Sequence, residues 1–342
     1  MMATRRPHWG QQGHTLANGK TMSASQAIAW LGALVLLAPL LAGCAGQARP
    51  QPPTIQVRPT PADQYPRPEL LADTAWLAAR LDDPTIRVVD LSPLADYRAG
   101  HIPGAVHVWW QDLTEVNNPT YGMLVDPASR RRVIGAAGIA PGMTVVAYDN
   151  AGGRYAAYFL WVLAYTDIAP GRLLNGGLDT WRREGRPVTR RAPQVAPVVL
   201  AERPTNEAVL YNGKDLLARL GERDLAVVDA RNADEGLETW GGRLRVGRIP
   251  GSHPIPWDRN LGQKGTAVVR DPVELPLVYS RFGLRKDQEI IVYALTGVEA
   301  AQTFWTLRVL GYERVKIYDG SWAEWGAAVP DTPYPIEPLA VG

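Results

Sequence analysis

The chain contains one unit twice. TIRVVDLSPLADYRAGHIPGAVHVWWQDL (85–113) is matched by DLAVVDARNADEGLETWGGRLRVGRIPGSHPIPWDRNL (224–261). Each carries Val-Val-Asp, at Asp90 and Asp229, and then Ile-Pro-Gly, at Gly104 and Gly251. MTVVAYDNAGGRYAAYFLWVLAY (143–165) is answered by EIIVYALTGVEAAQTFWTLRVLGY (289–312), and GRLLNGGLDTWRREG (171–185) by ERVKIYDGSWAEWG (313–326). Tyr148 and Tyr293 stand 145 residues apart, Gly177 and Gly320 143, and Trp181 and Trp325 144. Landmarks kept in one order at one spacing mean two copies of one fold, and 342 residues suffice for two cores of ordinary size.

Within a copy, short apolar runs alternate with helical patterns. The first copy predicts a helix over 70–81, a strand over 86–90, a helix over 127–138, a strand over 143–148, a helix over 153–165 and a strand over 172–174. That alternation implies an α/β fold: two similar domains, each a mainly parallel sheet with helices on both faces. Valine-rich strands such as Val145-Val146 and Ile290-Ile291-Val292 suit burial on both sides. The first domain is expected over 68–190 and the second over 208–333. The proline-rich stretch 191–207 is the expected linker.

Ahead of the repeats, Arg5, Arg6 and Lys20 precede a segment with no charged residue until Arg49. It holds the apolar run IAWLGALVLLAPLL (28–41), too short for a membrane span, which needs about 20 residues, but suited to a signal peptide. The run ends in Leu41-Ala42-Gly43-Cys44, which resembles the lipobox of bacterial lipoproteins. That resemblance implies a signal peptide over 1–43, cleavage before Cys44 and lipidation of its sulfur. Cys44 is the only cysteine in the sequence, so lipidation leaves no free thiol. Residues 44–67 read as the lipidated cysteine and a proline-rich tether. The expected location is the bacterial cell envelope, exported and lipid-anchored, with the membrane as one partner. A formal charge of +2 gives no case for nucleic acid.

The stretch IIVYALTGVEAAQTF (290–304) runs from a strand, Ile290 to Tyr293, through a glycine turn into a helix expected from Ala300. Such a turn aims backbone N–H groups and the positive end of a helix dipole at one point, where a nucleophile or an anion belongs. The hinge residue is Ala294.

Val-Val-Asp, GHIPGA (100–105), the strand–loop–helix at 293–300 and LLNGGLDTWRREGRPVT (173–189) together resemble the tandem rhodanese-domain sulfurtransferases, over about residues 70–330. The resemblance implies a structural first domain and a second domain whose central strand ends in a cysteine. That cysteine takes the outer sulfur of thiosulfate as a persulfide and passes it to a thiophilic acceptor. A thiolate among loop N–H groups at a helix N-terminus is the physical basis. The matching position is Ala294. Within the loop Ala294, Leu295, Thr296, Gly297, Val298, Glu299, Leu295 supplies none of the positive charge that often follows the cysteine, and Glu299 adds a negative one. Two functions follow. One is a membrane-tethered binding module without sulfur transfer, using the emptied pocket or the domain groove for a small anion or an envelope protein, or working through its surface alone. The other is a thiosulfate sulfurtransferase, as resemblance alone assigns.

Asp149 holds the equivalent position in the first domain, either as a strand-end carboxylate satisfied by turn N–H groups or as a carboxylate nucleophile. Asp90 and Asp229 end strands and are expected to bond turns. Arg231, Arg243, Arg245 and Arg248 lie in or near the longer second-copy insertion. Asp229, Arg231 and Arg248 are the candidate pocket rim; a solvated loop is the alternative. Trp240, Trp257, Trp322 and Trp325 read as packing or pocket walls. His101, His107 and His253 show no metal-ligand spacing, and no pattern requires a cofactor.

Overall fold

The computed structural model describes residues 58–115, 120–232 and 244–339. Each repeat forms a five-stranded sheet in which every pair is parallel. In the first, β1 (Leu71–Ala72), β2 (Ile86–Asp90), β3 (Val106–His107), β4 (Thr144–Tyr148) and β5 (Gly171–Leu174) lie in the order β1-β5-β4-β2-β3. The second repeats it: β6 (Leu210–Tyr211), β7 (Leu225–Asp229), β8 (His253–Pro254), β9 (Glu289–Tyr293) and β10 (Val315–Tyr318), in the order β6-β10-β9-β7-β8. The first domain carries helices α1 (Thr74–Ala78), α2 (Leu94–Ala99), α3 (Pro127–Ala136), α4 (Arg154–Thr166) and α5 (Gly177–Arg183). The second carries α6 (Gly213–Arg219), α7 (Leu275–Ser280), α8 (Gly297–Val309) and α9 (Ser321–Trp325).

Strand alternation sorts side chains between two faces. In β4, Val145 and Ala147 enter one apolar cluster with α4, while Val146 and Tyr148 enter another with Leu178 and Trp181 of α5. In β9, Ile290 and Val292 join the first cluster, and Ile291 and Tyr293 a third with Trp322 and Trp325. The first cluster draws on both repeats, so the two domains share a core across the α4–α8 seam. The expected helix over 70–81 is corrected. Leu71 and Ala72 pair with Leu173 and Leu174 as an edge strand, and the helix starts only at Thr74. The α3 helix stops at Ala136, two residues early, where Gly138 turns with φ +67°.

The seam is reciprocal. Trp161 of α4 donates its indole N–H to the Val209 carbonyl at 3.0 Å, and Trp305 of α8 donates to Leu70 at 3.0 Å. Arg67 N–H reaches Val309 O at 3.1 Å while Asn206 N–H reaches Tyr165 O at 2.7 Å. Val269 N–H donates to the Asn175 side chain at 2.9 Å, and Leu124 N–H donates to Asp319 at 2.8 Å. Each repeat thus holds the segment leading into the other.

The tether expected to run through residue 67 gives way earlier to packed chain. Tyr65 is buried, and its hydroxyl donates towards the carbonyls of Val269 and Arg270. Ala62 N–H donates to the Asp73 carboxylate. An aromatic side chain with a satisfied hydroxyl is enough to fix a proline-rich segment. The second domain also continues past 333: Tyr334 stacks on Trp325 at 4.5 Å, and Glu337 exchanges two backbone hydrogen bonds with Arg248. Residues 1–43, Cys44, Trp240 and Arg243 lie outside the described residues.

Candidate functional site

Both candidate loops stand at the carboxyl ends of central strands, where parallel sheets place their ligands. In the first domain the loop follows β4, and Asp149 fills it. One carboxylate oxygen accepts from Ala151 N–H at 2.7 Å and Gly153 N–H at 2.8 Å. The other accepts from Tyr155 N–H at 2.8 Å and Ala156 N–H at 2.9 Å. Burial pushes the Asp149 carboxyl up, and the four N–H bonds oppose that rise. The loop is therefore an anion cradle already occupied by the chain's own carboxylate. A nucleophile needs a free lone pair aimed at solvent, and this one is fully engaged.

In the second domain Ala294 is wholly buried, its methyl part of the shared apolar cluster. Its N–H donates to Ser321 Oγ at 3.3 Å, and its carbonyl accepts from Trp322 N–H at 2.9 Å. Ala323 N–H takes the Leu295 carbonyl at 3.0 Å. The helix does not wait for Ala300: α8 opens at Gly297, with Thr296 as its N-cap. The Thr296 hydroxyl accepts from Val298 N–H at 3.3 Å and donates to Glu299 at 3.1 Å. With Tyr148 and Tyr293 in register, Val298 matches Gly153, and Ala300 and Ala301 match Tyr155 and Ala156. Val298 N–H is spent on the cap. Ala301 lies beyond the first turn, where N–H groups bond within the helix. Two of the four donors that hold a carboxylate in the first domain are thus engaged locally in the second.

The loop is also covered. A Cβ built on Gly122, where φ is +90°, would stand 2.7 Å from Thr296 Cγ2, so the first domain's 120–125 segment lies directly on the cap. Beside it, Asp319 at the end of β10 is buried, with one carboxylate oxygen held by Leu124 N–H. The other has no hydrogen-bond partner and faces Gly297, whose Cβ would lie 2.6 Å away. Burial pushes this carboxyl up to about 7, against the opposing pull of Leu124 N–H and Arg130.

The candidate rim separates. Arg231 pairs with Asp229 at 2.6 Å, donates to the Gly247 carbonyl at 2.8 Å and lies over Trp322, 4.3 Å from its ring. Burial acts to lower its pKa, but the Asp229 carboxylate outweighs this and holds it above the ordinary value. Its charge is neutralised and stacked. Arg248 pairs with Glu337 of the C-terminal segment, and Arg245 donates to the Trp325 carbonyl at 2.5 Å. Arg231 also lies 5.6 Å from the ring of Tyr293, next to Ala294, whereas Arg245 and Arg248 tie the insertion to α9 and to the tail. Trp322 and Trp325 pack in the outer core, and Trp257 lies against Gly152.

Asp90 and Asp229 bond the turns after their strands, through Ser92 N–H at 2.8 Å and Arg231 N–H at 3.2 Å. His101 is buried, stacked on Tyr97 at 3.8 Å with its Nδ1 on the Tyr97 carbonyl. His107 bonds the Ser92 carbonyl, and His253 lies edge-on to Phe282. Among the described residues no three His, Cys, Asp or Glu side chains gather as a metal site. Sequence reasoning missed Asp319 and Ser321. It also missed the cap, although Thr296-x-x-Glu299 is a capping-box pattern.

A family model described as the rhodanese-like domain matches residues 73–184 and 212–328. The sulfur carrier protein TtuD of Thermus thermophilus is 33% identical over 278 residues, covering 78% of this chain and 96% of that relative. A thiosulfate sulfurtransferase of Pseudomonas aeruginosa is 33% identical over 271 residues, 78% of this chain and 97% of that one. The crystal structure of SseA from Escherichia coli, described as a 3-mercaptopyruvate sulfotransferase, superposes with a TM-score of 0.66. It is 27% identical, covering 74% of this chain and 98% of that one.

Proposed function

The chain belongs to the rhodanese-like domain family, and from that premise we propose that it is a binding member without persulfide chemistry, held at a bacterial membrane by a lipid on Cys44. One observation carries the reading: the strand end that presents a reactive atom in this type of site ends here in the buried methyl group of Ala294. A persulfide forms on a thiol, and the only thiol in the sequence is Cys44. Two loop donors engaged by the helix and its cap, with the 120–125 segment lying over Thr296, favour a protein partner over a small anion at this loop.

Sulfur transfer is the second reading, and the identity to relatives described as a sulfur carrier and a thiosulfate sulfurtransferase favours it. It requires a nucleophile other than residue 294. The two readings part in a thiosulfate:cyanide assay on the full chain carrying Cys44→Ser, beside the same chain with Ala294→Cys added. The binding reading expects no turnover above buffer from the first. Turnover there supports the second reading and overturns the first.

A further inference from the structure

Gly138 and Gly283 stand 145 residues apart, as the paired tyrosines do, and both turn the chain after a helix with positive φ, +67° and +73°. In the first repeat the linker covers this turn. A Cβ on Gly138 would meet Val195 Cβ and Ala196 O at 3.2 Å, and Val198 N–H donates to Gly135 O at 2.9 Å. Ala137 beside it is buried. In the second repeat no described residue takes that place. Nothing lies within 4 Å of a Cβ on Gly283, and Phe282, the counterpart of Ala137, is 38% exposed. Along α7, Leu275 and Tyr279 enter the core, whereas Val273 and Leu277 are 79% and 50% exposed. Three large apolar side chains within ten residues thus stand outward along α7 and its flanking turns. Single exposed apolar residues are ordinary, but a group of them marks an interaction surface.

The occupant follows from where the N-terminal chain meets the body. Thr60 donates its hydroxyl to one oxygen of Asp271 at 3.1 Å, and Val273 N–H donates to the other at 2.9 Å. The incoming chain therefore joins the second domain at the first residue of the exposed group. Cys44 lies fourteen residues before Arg58, where the described chain begins. At about 3.6 Å per residue that is a reach of about 50 Å at most. The anchor proposed above thus leads into the body beside the exposed group. Charge does not select the occupant, because Arg270 pairs with Glu274 at 3.2 Å and Arg285 with Asp287 at 3.0 Å. The apolar side chains carry the contact.

We propose that Val273, Leu277 and Phe282 rest on the bilayer that holds the anchor, their side chains in the boundary between headgroups and acyl chains. The proposal takes from the anchor reading only that the chain is held at a membrane, and it does not depend on whether sulfur transfer occurs. Three apolar side chains adsorb weakly by themselves, and tethering raises their effective concentration at the surface. Docking also orients the second domain, because α7 packs on one face of its sheet and α9 on the other.

The test is fluorescence of the full chain with Cys44→Ser, held on vesicles of phosphatidylethanolamine and phosphatidylglycerol by an N-terminal histidine tag and a nickel-chelating lipid. Attachment through the tag keeps the outcome independent of acylation, which palmitate incorporation into the parent reads separately. A nitrobenzoxadiazole label is placed on Ser280→Cys, exposed at the end of α7, or on Val246→Cys, exposed beside Arg245, which bonds α9. Docking predicts a blue shift and quenching by nitroxide lipid at Ser280→Cys and not at Val246→Cys, both kept at about 0.5 M salt. Adding Val273→Asp and Phe282→Asp to the Ser280→Cys chain weakens docking at least about tenfold. Thermal unfolding confirms that this variant folds. No quenching at Ser280→Cys on vesicle-held chain overturns the proposal and leaves a protein as the occupant. Equal quenching at the two positions, or quenching unchanged in the folded Asp variant, also overturns it. So does a blue shift without vesicles that grows with protein concentration, since a second copy then covers the face.

Discussion

Replacing Asp319 by asparagine makes a pH-dependent prediction whose sign follows from the structure. The carboxyl is buried at the seam, one oxygen accepting Leu124 N–H and the other unpartnered against Gly297. Its pKa is about 7 in the fold against an ordinary 3.8. Between those values the folded chain keeps a proton that the unfolded chain has lost, so stability falls as pH rises through the window and levels off above about 7. At about 1.4 kcal/mol per pKa unit, the cost of ionised Asp319 is about 4 kcal/mol at most, less whatever water penetration relieves. Asparagine keeps an acceptor for Leu124 N–H and cannot ionise. The equivalent seam bond in the first domain already uses one, with Asn175 accepting Val269 N–H at 2.9 Å. Asp319→Asn is therefore expected to gain on the parent steadily as pH rises from about 4 and to exceed it near pH 8 by about 2–4 kcal/mol, raising Tm by several degrees. Paired thermal unfolding curves across that range measure the gap. A gap that does not change with pH, or a variant weaker than the parent near pH 8, refutes the assignment of an unpartnered carboxylate at this seam.

Three further outcomes follow from named contacts. Asp149→Ala leaves four loop N–H groups without their acceptor and should cost at least about 3 kcal/mol, with Asp149→Asn costing less; chemical denaturation reads both. An Asp149→Ala variant as stable as the parent contradicts the occupied cradle. Gly122→Ala places a Cβ 2.7 Å from Thr296 Cγ2 at a positive φ and should cost about 1–2 kcal/mol, while Gly104→Ala, with open space around it, should cost less. In a bacterial host, the proposed anchor predicts that labelled palmitate enters the parent and that Cys44→Ser loses the label and leaves the membrane fraction; label retained by Cys44→Ser sinks that assignment.

The repeat made the architecture readable because both copies solve the same packing problem with the same residues. Tyr148 and Tyr293 show why: each hydroxyl accepts the N–H of the Ile-Pro-Gly isoleucine, Ile102 at 3.0 Å and Ile249 at 3.1 Å. Trp181 and Trp325 likewise donate to the carbonyls of Pro187 and Pro335, at 2.7 and 2.6 Å. The two-residue edge strand at Leu71–Ala72 was not readable, since its existence depends on pairing with β5 and not on local pattern. The same holds for the packed segment around Tyr65, whose partners lie about 200 residues away. At the candidate site, the alanine at the strand end was plain from residue 294 alone. The cover from Gly122 and the buried carboxyl of Asp319 were not, because both arise where one repeat meets the other. The arginines of the insertion misled in a physical sense: charge near a strand end suggests a rim, but Arg231 and Arg248 already have carboxylate partners.

The central claim is that no atom on this fold accepts sulfur, and intact-mass spectrometry tests it most directly. The full chain carrying Cys44→Ser is incubated with thiosulfate beside the same chain with Ala294→Cys added, both under non-reducing conditions. The account predicts an unchanged mass for the first. A gain of about 32 Da in the second, reversed by cyanide, would show that the pocket still accepts sulfur once given a thiol. A stable gain of that size on the chain without cysteine contradicts the account.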